Sequence, residues 1–133
     1  MKEHVLWVAL GGALGSVARY ACSGWVARFF GETFPWGTLC VNIVGSMIIG
    51  FGATVMSPDG RWLASAATRQ FLLVGFCGGY TTFSSFSLQT LTLLQDGQWW
   101  RAGANMAGSV AACMLAVWLG AILGNLVNSG RIH

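Results

Sequence analysis

The chain has 133 residues, 55% of them hydrophobic and 8% charged, with a formal net charge of +3. About a quarter of the residues in a typical soluble domain are charged, so a globule of this composition lacks the polar surface to dissolve, and its solvent must be largely lipid. A soluble globular domain is excluded, and nothing in the composition calls for a nucleic acid as partner.

The charges mark the membrane crossings. Lys2, Glu3, Arg28, Glu32, Asp59, Arg61, Arg69, Asp96, Arg101 and Arg131 stand at the ends of long apolar runs, and Arg19 alone lies well inside one. The first run, 5–30, is predicted to be a helix despite Arg19. A secretory signal would have a shorter apolar region and a small-residue cleavage site, whereas this run ends in Arg28-Phe29-Phe30, so the N-terminus is expected to be retained. Runs 36–57, 70–95 and 102–127 contain no charge. Each reaches the roughly 20 residues that a helix needs to cross about 30 Å of hydrocarbon.

The connections are short and carry helix breakers: Gly31 to Pro35, Pro58-Asp59-Gly60-Arg61, and Asp96-Gly97-Gln98. They leave no room for a soluble domain. Trp7, Trp36, Trp62, Trp99 and Trp100 fall near the expected membrane interfaces, where an indole can keep its ring in lipid and its N–H toward water. The expected fold is all-α, a single four-helix transmembrane domain with helices at about 5–30, 36–57, 70–95 and 102–127. Cys22, Cys40, Cys77 and Cys113 fall one to a run, without the close spacing of a metal-ligand pair, and read as small packing residues. His4 and His133 lie outside the predicted spans and are given no role. With an even number of crossings, Lys2, Arg61, Arg69 and Arg131 share one face and Arg28 and Arg101 the other. Four against two is a weak positive-inside bias, compatible with insertion either way up.

Many of the 19 glycines recur four apart, as in Gly11 and Gly15, Gly75 and Gly79, and Gly120 and Gly124, with Ser46 and Gly50 as a looser case. Small residues at that spacing let helix backbones approach closely in lipid. The stretch from Gly75 to Ser87, GFCGGYTTFSSFS, is different, because paired glycines followed by β-branched threonines make a poor continuous helix. The third helix is therefore predicted to break at its centre. Irregular backbone at membrane depth survives only when buried in protein or lining a wet cavity, and its freed carbonyl and N–H groups can bind ions. Asn42 adds an amide to the second helix, Asn105 and Ser109 add an amide and a hydroxyl four apart on the fourth, and Ser16 and Arg19 add a hydroxyl and a guanidinium to the first. No acid or titratable base lies among these groups, so neither a proton relay nor hydrolysis has residues to run on, and no enzyme is expected.

These motifs together resemble the Fluc family of bacterial and eukaryotic fluoride channels, also called CrcB proteins, over nearly the whole chain. The resemblance rests on Gly11-Gly12-Ala13-Leu14-Gly15 with Arg19-Tyr20, on Gly37-Thr38-Leu39 with Val41-Asn42 and Gly45, on Gly75 to Gly79 with Thr81 to Ser87, and on Gly108-Ser109. It implies fluoride as the ion and a dual-topology, antiparallel homodimer with two pores and a structural sodium ion at its centre. The bacterial inner membrane is the implied location. Position by position, the carbonyls of Gly78 and Thr81 would hold the sodium, and Phe83 and Phe86 would turn positive ring edges to the anion. Asn42 matches the conducting asparagine. Ser84, Ser85 and Thr38 would supply a polar track, Ser109 faces it from the fourth helix with Asn105 nearby, and Arg19 would stand at a vestibule. Ser85 stands where the family often has threonine, Tyr80 where it often has an aliphatic residue, and Asn105 at a variable position. Two other classes compete. A small dual-topology exporter would couple protons through a membrane-embedded glutamate, but Glu3 and Glu32 fall outside the predicted spans. A purely structural membrane subunit would leave the polar, broken third helix unexplained.

Overall fold

The computed structural model describes residues 2–130; Arg131 and His133, which entered the sequence reading, lie outside them. Among the described residues, four helical spans are long and apolar enough to cross a membrane: Lys2–Phe30, Trp36–Val55, Ala66–Gln95 and Trp99–Ser129. Only 11% to 28% of the most apolar stretch of each is buried within the chain, so most of their apolar surface needs lipid or another protein to cover it. The chain is an all-helical, multi-pass membrane protein.

Three of the spans start outside the expected limits, and the causes are local. Helix α1 (Lys2–Phe30) includes the charged first turn, so Glu3 lies inside the span, at its very end. After helix α2 (Trp36–Val55), the chain turns at Met56 and Ser57, and Arg69 donates to the Met56 carbonyl. The third span begins early because Ser65 caps helix α3 (Ala66–Arg69), its hydroxyl accepting from the Thr68 N–H at 3.2 Å. It continues as a π-helical stretch, Gln70–Cys77, and a short helix α4 (Gly78–Tyr80). Beyond the break lies α5 (Phe83–Gln95). Gly97, at φ 75°, then turns the chain into helix α6 (Trp99–Ser129). A left-handed residue in so tight a connection suits glycine, which has no Cβ to clash.

The glycine pairs decide which helices touch. A Cβ added at Gly11 or Gly15 would overlap the carbonyls of Phe71 and Phe76, and one at Gly79 would reach the Gly12 carbonyl. α1 and the first half of the third span are thus in backbone contact. α2 and α6 meet in the same way, since a Cβ at Gly50 would overlap the Val117 carbonyl and one at Gly120 the Met47 carbonyl. One end of the bundle is tied by side chains: Asn128 accepts from the Arg61 N–H at 2.7 Å and donates to the Thr54 carbonyl at 3.1 Å. Arg61 also donates to the Val127 carbonyl, completing the end of α6 with a basic group.

Candidate functional site

The break in the third span falls at Thr81 and Thr82, both extended, at φ/ψ of −87°/157° and −150°/118°. Gly78 and Gly79 stay helical. The threonines make the break because their hydroxyls offer the backbone other partners. Thr81 Oγ1 donates back to the Cys77 carbonyl at 2.9 Å, and Thr82 Oγ1 accepts from the Ser85 N–H at 3.1 Å as the N-cap of α5.

Asn42, facing the break from α2, completes it. Its Nδ2 donates to the Thr82 carbonyl at 3.0 Å, and its Oδ1 accepts from the Thr82 N–H at 2.7 Å. An amide side chain carries both a donor and an acceptor, so it can pair with a residue's backbone in both directions as a neighbouring strand would. On the other flank, Arg19 Nε donates to the Gly79 carbonyl at 3.0 Å, placing a cation at the C-terminal end of α4.

These diversions have a consequence for two carbonyls. In an unbroken helix, the Gly78 carbonyl would accept from the Thr82 N–H and the Thr81 carbonyl from the Ser85 N–H. Here the Thr82 N–H is bound by Asn42 and the Ser85 N–H by Thr82 Oγ1. The carbonyls of Gly78 and Thr81 thus lose their helical donors, as do those of Gly79 and Tyr80 between them, whose partners would be the N–H groups of Phe83 and Ser84 at the start of α5.

Two cavities meet at the break. The first, about 570 Å³, opens among the α1–α2 and α5–α6 connections and is lined by Arg19, Thr38, Thr82, Ser85 and Gln89, with Glu32 and Asp96 also on its wall. The second, about 390 Å³, is lined by Asn42, Gly78, Thr81, Phe83, Phe86 and Ser109. Thr82 belongs to both walls. Ser84 lines neither cavity; its hydroxyl lies 3.2 Å from Thr82 Oγ1. Asn105 also lines neither and is 2% exposed. Phe83 and Phe86 have ring centroids 5.3 Å apart at an interplanar angle of 48°, and Phe83 is 77% exposed. Beyond its contact with Phe86, so large an exposed apolar ring needs lipid or another protein to cover it.

Sequence reasoning passed over Gln89. Its Oε1 is buried with no hydrogen-bond partner among the described residues, on the wall of the first cavity. The signal was its place four residues after Ser85, on the same face of α5. Thr90 was also passed over; it is buried and bonded to Asn105.

The sequence aligns with those of relatives over most of their lengths. The chain is 62% identical over 124 residues to a protein of Opitutus terrae named "Fluoride-specific ion channel FluC", covering 93% of this chain and 94% of the relative. Relatives of the same name in Rhodospirillum rubrum and Paramagnetospirillum magneticum are 57% and 54% identical, over 94% and 91% of this chain and 97% and 94% of theirs. The model of the family described as "CrcB-like protein, Camphor Resistance (CrcB)" matches residues 6–121, from α1 through the break and well into α6, and the chain belongs to that family.

Proposed function

We propose that this chain is a fluoride-specific ion channel of a bacterial inner membrane, which lets fluoride leave the cytoplasm passively and so lowers its toxicity. The observation that carries the reading is the meeting of two cavities at a helix break built from Asn42, Thr82 and Ser85, with Phe83 and Phe86 leading away from it. Fluoride is small and strongly hydrated, so a pore must replace its water with donors along the whole path. Arg19 and the hydroxyls of Thr38 and Ser85 begin that path in the wider cavity. Asn42 spends one N–H on Thr82 and keeps a second for the anion. Phe83 and Phe86 follow with positive ring edges, and Ser109 stands opposite them.

The functional unit in this reading is an antiparallel homodimer with two pores. The exposed Phe83 and the weak charge bias support it, because a lone chain leaves the ring uncovered and either insertion is tolerated. The carbonyls of Gly78 and Thr81, two from each subunit, would hold a structural sodium ion, which would supply a fixed positive charge at the dimer centre.

Purified protein in liposomes tests the reading directly. Fluoride efflux without a proton gradient is expected, with chloride retained. Efflux that requires a proton gradient would mark an exporter, and no efflux would leave a structural subunit.

A further inference from the structure

Behind the wall of the second cavity runs a chain of buried hydrogen bonds that joins α5 to α6. Thr90 Oγ1 donates to the Phe86 carbonyl at 2.7 Å, Asn105 Nδ2 donates to Thr90 Oγ1 at 2.9 Å, and Ser109 Oγ donates to Asn105 Oδ1 at 3.2 Å. The directions are forced from one end. A carbonyl cannot donate, so the single Thr90 proton goes to Phe86 and Thr90 must accept from Asn105. That turns the Asn105 oxygen toward Ser109, whose proton it takes. Ser109 lines the cavity, whereas Thr90 and Asn105 do not.

We propose that Asn105 is a positioning residue that competes with the permeating anion for the Ser109 proton. The inference rests on the channel reading above. As the network stands, Ser109 turns lone pairs toward the cavity. To hold an anion its hydroxyl must swing outward, leaving the Asn105 oxygen bare in a buried site, so the anion is held less tightly than by a free hydroxyl. Weak holding serves conduction, since an ion bound too well does not leave. Thr90 acts one step further back. Without its oxygen, the Asn105 amide can turn over and donate to Ser109, which then points its proton into the pore.

The test is fluoride efflux from liposomes as a function of fluoride concentration for Thr90→Val and Asn105→Leu, each alone and combined with Ser109→Ala. The expected result is a half-saturating concentration lowered about fivefold in each single variant, the equivalent of one ordinary hydrogen bond, and no shift when Ser109 is alanine. Unchanged half-saturation in the single variants would overturn the proposal. A shift of the same size in the Ser109→Ala background would also overturn it, showing that the network acts through packing. Thr90→Val keeps the side-chain shape and carries the test if Asn105→Leu does not fold. Unaltered protein that passes no fluoride would bring down the channel reading and this inference with it.

Discussion

The Asn42 side chain and the Thr82 backbone are paired in both directions, at 3.0 Å and 2.7 Å, across the break in the third span. One residue of α2 thereby both holds the irregular backbone open and faces the cavity where an anion would pass. Asn42→Asp should abolish or greatly reduce fluoride efflux, because a fixed negative charge repels the anion and removes both amide donors. It also sets a carboxylate against the Thr82 carbonyl, so a loss of stability of about 1–3 kcal/mol should accompany the loss of flux. Undiminished efflux from liposomes containing the variant would remove Asn42 from the path.

Phe83→Ile should stop or sharply slow flux while the purified protein keeps its helicity and its thermal transition. The ring is 77% exposed in the single chain, so the subunit loses little by its removal. Normal flux through this variant would show that the ring only packs.

Gly78 separates subunit from dimer. A Cβ there meets nothing within 4 Å inside the chain, so Gly78→Val should leave the helical content of the subunit intact. If two copies meet at this carbonyl around a sodium ion, the same change should disperse the dimer, read by light scattering on a sizing column. A stable, conducting Gly78→Val dimer would count against the central sodium.

Gly15→Val should damage the subunit itself. Its Cβ would overlap the Phe76 carbonyl, and forcing α1 from the third span should cost about 1–3 kcal/mol, measured as a lowered melting temperature in detergent. Removal of the Asn128 amide by Asn128→Ala should also lower stability, by about 1 kcal/mol, yet leave flux unchanged, because its bonds to Arg61 and Thr54 lie at the far end of the bundle from the break.

Topology can be read with cysteine labelling. In a background with Cys22, Cys40, Cys77 and Cys113 replaced, a single cysteine near the N-terminus should label from both sides of the membrane. Labelling from one side only would break the antiparallel arrangement.

The number of crossings was legible in the sequence, because the length of an uncharged run is set by bilayer thickness and needs no tertiary contact. So was the break, since paired glycines followed by β-branched threonines make a poor helix; within that stretch the structure sets it at Thr81 and Thr82 and keeps Gly78 and Gly79 helical. Tertiary structure decided every feature that depends on contact between distant segments. Gly11 and Gly15 read as packing residues, but a small-residue spacing does not name its partner, and only the fold set them against Phe71 and Phe76. Asn42 read as a donor to an ion, yet its bonds to Thr82 span 40 positions of sequence, and Arg19 reaches the Gly79 carbonyl across 60. Asn105 and Ser109 were visible four apart on one helix, but that spacing gives no direction to a hydroxyl proton. The direction came from Thr90 and the Phe86 carbonyl on another helix, because a hydrogen-bond chain is oriented by the group at its end that can only accept.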